Sequence, residues 1–410
     1  MEKCVPEVSN NNCINVHIPD DTAFSILSKL PIKSLKRFGC VRKSWSLLFD
    51  NHYFMNMYRN NFLTKDHSYY DDSTVFIHQT FCPFDGYYDD QTFELYCVSG
   101  ERFENRVKLD WPNVKLDPID RSKEKYDSGF NIIGSGSVHG ILCLHCASHK
   151  NVILWNPSTN QFKVIPHKED IVDPREFGYD RHRDDYKVIC QRDIDIEEID
   201  GDHDVQDEED ISFNPYITVW EIYSLRSNSW RKLDIDMDHV YYMSDERLYI
   251  DGLSHGLCAG KIARQKEKES YLLSFDWGNE VFLKTYIPSD IIDGRIDYFS
   301  VWIRLVLLNG SIALILNYTD SATFHISILG ELGVKESWTK IFTVGPLPCL
   351  EFPIGAGKKG DMLFRKTDGE LVWFDLNTQM IEDLGVITSR FSCKIVIHKE
   401  NLLTFEGTNI

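Results

Sequence analysis

The sequence predicts a mainly β protein headed by a small α-helical module. Three observations lead there. Apolar residues recur at helical spacing only before Asn61. Beyond it, short β-branched and aromatic runs alternate with Gly, Asn, Asp and Pro turns. One strand–turn–strand unit then returns at a near-constant interval to the end of the chain.

Residues 1–14 are polar and aperiodic and are expected to be disordered. Residues 15–62 carry the helical pattern. Ala23, Ile26, Leu27 and Leu30 fall at i, i+3, i+4 and i+7, the stripe of a short amphipathic helix. Pro19 suits its first turn, where the missing N–H would be an orphan donor, and Asp20 and Asp21 suit the positive helix end. Pro31 stops this helix, Ser34 is the expected N-cap of the next, and Leu35 with Phe38 begins it. Val41, Trp45 and Leu48 mark a third helix. Three helices in so short a segment bury little core alone. Spare apolar surface then points to a docking module that completes its core on a partner.

Three runs here resemble the F-box of plant F-box proteins: Ile18-Pro19-Asp20-Asp21, Leu30-Pro31-Ile32-Lys33-Ser34-Leu35 and Cys40-Val41-Arg42-Lys43-Ser44-Trp45. Leu-Pro, the basic-Ser-Leu step and V-x-K-x-W stand at the family's usual spacings, although members often carry Leu where this chain has Ile18. The resemblance implies docking to a Skp-type adaptor, and through it to a cullin–RING ubiquitin ligase. It assigns that docking to Ile18, Pro19, Leu27, Leu30, Pro31, Lys33, Leu35, Arg37, Val41, Lys43 and Trp45. The competing reading is a helical cap on the following domain.

Residues 70–410 are long enough for a large core, and a composition 42% hydrophobic and 13% aromatic is that of a globular chain. Asn309-Gly310 between Val301–Leu308 and Ile312–Asn317 is a hairpin signal, since a type I′ turn needs positive φ at both central residues. Asp368-Gly369 is expected to repeat the device. The repeated unit has anchors near 96, 155, 223, 275, 327 and 374, separated by 59, 68, 52, 52 and 47 residues. That period is close to the roughly 50 residues of a kelch-type blade, which predicts a β-propeller of about six four-stranded blades. A two-sheet sandwich competes, but its turns recur about every 8–12 residues. Ser137-Val138-His139-Gly140-Ile141-Leu142-Cys143-Leu144, Trp155-Asn156-Pro157-Ser158-Thr159, Phe177-Gly178-Tyr179-Asp180 and Asp185-Tyr186-Lys187-Val188 resemble the F-box-associated domain of plant F-box proteins. Ser254-His255-Gly256 and Ser274-Phe275-Asp276 fit the same pattern. That family includes S-locus-like F-box proteins, and no residue here selects the subgroup.

Charge is uneven along the chain. Residues 15–65 sum to +5, whereas residues 66–410 sum to −23, with eleven carboxylates in 193–210. A block of like charge repels itself, so 192–212 is expected to be a solvated insertion. The negative field disfavours nucleic acid and favours a basic protein target. Met1 to His17 lacks the apolar region of a secretory signal, and eleven cysteines form no framework, so reduced thiols in the cytoplasm or nucleus are expected. Val301–Tyr318 is interrupted by Arg304 and Asn309-Gly310-Ser311 and reads as two strands, not a membrane span.

No cofactor or metal is expected. Gly355-Ala356-Gly357-Lys358-Lys359-Gly360 matches GxGxxG, but Pro353 precedes it and the strand-like Asp361–Phe364 follows in place of a helix, so it reads as an inter-blade turn. Cys143-Leu144-His145-Cys146 lacks a second ligand pair, and strand alternation puts its thiols on opposite faces. Ser137 and His139 are expected in a turn, without catalysis. Two functions from different classes remain: a non-catalytic substrate receptor of a ubiquitin ligase, or a propeller that binds or hydrolyses a glycan or small molecule. Its target-binding residues are not legible in the sequence, because such specificity sits in loops.

Overall fold

The computed structural model describes residues 19–30, 32–64, 73–81, 92–99, 103, 105–114, 129–146, 151–166, 173–195, 216–235, 240–261, 268–292, 301–318, 321–357, 361–388, 392–403 and 405. Residues 1–14, Ile18, Pro31 and acidic residues 196–212 lie outside that description. The chain divides into two compact units, Met1–Asp66 and His67–Ile410.

The first unit holds α1 (Asp20–Leu27), α2 (Ile32–Gly39), α3 (Lys43–Ser46), a 3-10 turn at Leu48–Asp50 and α4 (His52–Thr64). Ala23, Leu27, Ile32, Leu35 and Leu48 are buried together with one face of α4. Phe54, Tyr58 and Phe62 recur on that face at intervals of four and stack on one another, and Phe24 meets Phe54 edge-on at 5.7 Å. Asn51 caps α4, its Oδ1 accepting the Phe54 N–H at 3.0 Å. Expected boundaries shift: Pro19 is the N-cap of α1 instead of lying in its first turn, and α1 ends at Leu27, before Leu30. Helix α2 begins at Ile32, so Ser34 sits inside its first turn instead of capping it. The expected third helix is split: Arg42 is extended, which leaves Val41 outside α3 and Leu48 in the 3-10 turn, and α4 follows.

The second unit is a ring of six antiparallel four-stranded sheets. The first has β1 (Ser73–Phe81), β2 (Thr92–Ser99) and β3 (Asn105–Leu109). The second has β4 (Asn131–Val138), β5 (Ile141–Cys146), β6 (Asn151–Asn156) and β7 (Gln161–Ile165). The third has β8 (Asp173–Asp180), β9 (Asp185–Asp195), β10 (Tyr216–Ser224) and β11 (Ser229–Lys232). The fourth has β12 (Tyr241–Ile250), β13 (Leu253–Lys261), β14 (Lys268–Asp276) and β15 (Val281–Tyr286). The fifth has β16 (Val301–Leu308), β17 (Ser311–Tyr318), β18 (Thr323–Leu329) and β19 (Trp338–Val344). The sixth has β20 (Leu350–Ala356), β21 (Met362–Lys366), β22 (Glu370–Phe374) and β23 (Ile381–Ile387). Last, β24 (Ser392–Lys399) pairs with β1 and completes the first sheet, so the two ends of this unit close the ring.

This is a six-bladed β-propeller, and each sequence anchor lies on the third strand of its blade: Tyr96, Trp155, Tyr223, Phe275, Ser327 and Phe374. Inner strands are apolar on both faces because each blade is sandwiched by two others. Along β17, Leu314 and Leu316 join the core against the fourth blade while Ala313 and Ile315 join that against the sixth. The Val301–Tyr318 run is therefore a hairpin. Its turn has φ of 50° at Asn309 and 82° at Gly310, as type I′ demands. At Asp368-Gly369 only the glycine is left-handed, with φ 93°, and its N–H reaches Lys366 O at 2.9 Å, so this connection is a longer loop than the expected two-residue turn. The GxGxxG stretch joins β20 to β21 within one blade, so it is not an inter-blade turn. Ser137 belongs to β4, and only His139 and Gly140 form the turn that follows. Arg192 to Asp195 of the acidic segment extend β9 and pair with β10.

Candidate functional site

The docking residues named from sequence divide by burial. Leu27 and Leu35 are inside the helical unit, Leu35 at 1% exposure, where they belong to its core. Leu30 and Trp45 are half-buried, while Pro19, Arg37, Lys43 and Val41 face solvent, Val41 at 71%. Lys33 lies in the first turn of α2; Ile18 and Pro31 are outside the described residues. Ile26, Phe38, Leu47 and Tyr53 are exposed too and were missed in the sequence. Ile26 stands on the stripe read from sequence yet is 56% exposed, so helical spacing alone did not separate the buried from the exposed apolar residues of this unit. Trp45 meets Phe38 edge-on, ring centroids 6.0 Å apart, and its buried indole N–H has no acceptor among the described residues. Exposed Lys36, Arg37, Arg42 and Lys43 border this apolar surface. Among the described residues these exposed apolar side chains are left uncovered, with exposed cations next to them in sequence.

The propeller motifs behave differently: most of them cement neighbouring blades. Asn156, fully buried on β6, donates from Nδ2 to Asn401 Oδ1 and Leu403 O, both at 2.8 Å. Asn401 Nδ2 in turn donates to His139 O at 2.9 Å, and Ser158 Oγ lies 3.0 Å from His398 Nε2. The second blade thereby grips the segment that follows β24 and secures ring closure. Between the third and fourth blades, buried Lys187 bridges Asp180 Oδ2 at 2.6 Å and Glu280 Oε1 at 2.7 Å. Arg183 binds Asp180 at 2.8 Å and Arg231 binds Glu280. Burial alone would raise the Asp180 carboxyl, but hydrogen bonds from Lys187 and Arg183 outweigh it and hold it down at about 2. Gly178 faces the Trp277 ring so closely that any Cβ would collide with it, and Trp277 Nε1 donates to Ser254 Oγ at 2.8 Å. His255 Nδ1 lies 2.8 Å from Ser274 Oγ, and burial lowers that imidazole to about 4. Cys143 and Cys146 fall on opposite faces of β5; both are buried, and burial pushes the Cys143 thiol far up.

Antiparallel order assigns every connection to one end of the ring. First-to-second and third-to-fourth strand connections share one end, where β24 finishes and β1 starts. Second strands end and third strands begin at the other, where fourth strands also end and the first strands of the next blades begin.

A small helical unit followed by a six-bladed β-propeller is the architecture of this chain. Residues 105–404 match the F-box associated beta propeller domain model. The chain belongs to this family of plant F-box proteins. F-box protein CPR1 of Arabidopsis thaliana is 28% identical over 289 residues, covering 64% of this chain and 66% of that protein, just under two thirds of its length. An F-box/kelch-repeat protein of the same plant is 23% identical over 352 residues, 82% of each chain. An oligogalacturonate lyase crystallised with manganese superposes with a TM-score of 0.40 at 10% identity, over 75% of this chain and 77% of the lyase, a likeness too loose to speak to chemistry.

Proposed function

We propose that this chain is the substrate-recognition subunit of an SCF-type cullin–RING ubiquitin ligase. The helical unit docks a Skp-type adaptor, and through it the cullin scaffold, while the propeller holds a target protein. Its contribution is proximity: a target lysine is kept near the charged conjugating enzyme, which raises effective concentration without chemistry by the receptor itself. Such a receptor works in the cytoplasm or nucleus.

The observation that carries this reading is the apolar patch of Phe38, Val41 and Leu47 with Lys36, Arg37, Arg42 and Lys43 around it. A mere cap on a neighbouring domain has no need of a basic rim. The F-box names of the relatives support the same conclusion. Leu27 and Leu35 then act indirectly, by shaping the surface. Co-purification with a Skp-type adaptor tests it: Phe38→Asp with Leu47→Asp should abolish adaptor retention while the propeller melts as before. Full retention by that variant would return the helical unit to the status of a cap.

A further inference from the structure

We propose that Ser229, at the turn between the third and fourth strands of the third blade, is a phosphorylation site. A kinase that reads Arg226 modifies it in the folded protein, and Arg226 and Arg231 then hold the phosphate.

Of the arginines in the chain, Arg226 alone has a serine or threonine three residues on, and that residue is Ser229. Kinases discriminate substrates by such charge patterns, so the chain offers a single acceptor to an enzyme that selects arginine at that spacing. The fold presents it to solvent. Arg226, Ser227, Asn228 and Ser229 are all exposed, where β10 turns into β11. The turn is braced from beneath: Tyr223 Oη donates to Asn228 Oδ1 and the Arg226 N–H to Asp185 Oδ1, both at 2.8 Å. Ser229 Oγ lies 2.8 Å from Ser227 Oγ, a contact between two exposed side chains that holds nothing in the core.

The surroundings suit the product as well as the acceptor. Ser229 and Arg231 alternate onto one face of β11, and the cross-strand row through Ser229 continues to Ser224 and Lys187. Arg231, 54% exposed, pairs with Glu280 of the fourth blade, and Arg226 Nη1 donates to Arg183 O at 2.7 Å, which uses one of its five donors. The carboxylates here are already engaged: Asp185 accepts from Ser224 Oγ and the Arg226 N–H, and Glu280 accepts from buried Lys187. In the transfer, Ser229 Oγ attacks the γ-phosphorus of ATP and the Oγ–P bond forms. The bond to the bridging oxygen breaks, ADP leaves with its electron pair, and the hydroxyl proton passes to the kinase's catalytic carboxylate. The product carries a charge of about −1.5 to −2 and three acceptor oxygens, which make charge-assisted bonds to guanidinium groups. It draws Arg231 away from Glu280, which keeps Lys187.

The test is phosphorylation of the full chain, without denaturant, by a purified serine kinase that selects arginine three residues before its acceptor, with ATP and magnesium. Peptide mass spectrometry should place the phosphate on Ser229. Ser229→Ala, a change at an exposed hydroxyl, should abolish incorporation and Ser227→Ala should spare it. Arg226→Ala should slow it by roughly tenfold, the loss of one charge contact with the kinase. The bound phosphate supplies a second readout. Its second ionisation, about pH 6 for a phosphoserine in solution, should fall below that value in a phosphorus NMR titration of the modified protein, and Arg231→Gln should bring it back up. No incorporation, phosphate on another residue, labelling of Ser229 only after heat denaturation, or an ionisation unmoved from that of the free phosphoserine would overturn the assignment.

Discussion

The two units carry family motifs of equal clarity, yet they use them in opposite ways. In the helical unit, motif residues Val41, Lys43 and Arg37 stand in solvent, while Leu27, Ile32 and Leu35 are spent on the core. In the propeller, motif residues Asn156, Asp180, Lys187 and His255 are buried between blades. A short unit with little core exposes its signature because a partner completes it, whereas a ring must first hold its blades together. The comparison predicts that propeller motif changes cost stability and helical motif changes cost binding. Its largest test is Lys187→Ala. Removing that ammonium leaves Asp180 and Glu280 with only the exposed Arg183 and Arg231 as partners, which should cost roughly 3 kcal/mol in urea unfolding, the low end for a broken buried pair. A loss below about 1 kcal/mol, the range of an exposed pair, would show that the bridge is not structural.

The next test is Asn156→Ala. It strips two hydrogen bonds from the closure and leaves Leu403 O and Asn401 Oδ1 short of a donor, so roughly 1–3 kcal/mol should be lost. The effect should be mirrored by Asn401→Ala and should not add to it, because both belong to one network. Full additivity of the pair would mean that the two residues act separately.

Acid gives a smaller effect per group. Burial lowers His78, His145 and His255 to about 4 and His398 to about 3, and on His78 the Lys394 ammonium adds to it. The unfolded chain takes up these protons near pH 6.5 while the folded chain does not. Stability is therefore complete above pH 6.5 and lost as pH falls toward 4, by about 1 kcal/mol for each histidine at pH 5.5. Urea midpoints measured from pH 7.5 to 5 should fall steadily, and a flat profile would contradict the burial of these imidazoles.

Much of the architecture was legible because it is periodic. The Asn309-Gly310 turn and the third-strand anchors reflect local geometry repeated along the chain, and of the stripe Ala23, Ile26, Leu27 and Leu30 it is Ala23 and Leu27 that are buried within α1. What escaped was set by tertiary neighbours. Nothing local shows that Arg42 is extended and so splits the third helix, or that Ser34 falls inside α2. The role of Gly178 is fixed by Trp277, a residue of another blade. Exposure of Phe38 depends in the same way on what the fold fails to cover.

The smallest expected effect on stability carries the sharpest contrast. Val41 is 71% exposed and lies between α2 and α3, so Val41→Asp removes almost no buried area and creates no cavity. Unfolding of the full chain should change by less than about 0.5 kcal/mol. At an adaptor interface the same carboxylate would be desolvated against an apolar surface, and it would also offset the cationic rim of Arg42 and Lys43. Adaptor binding should therefore drop at least tenfold, or about 1.4 kcal/mol, with the melting curve unmoved. Lysine substitution separates the two causes: Val41→Lys keeps the charge sign of the rim but still buries a charge. If only the aspartate weakens binding, the contact is governed by the cationic rim; if both do, by apolar burial. An undiminished interaction with both would move the adaptor surface away from Val41 and erase the contrast between the two units.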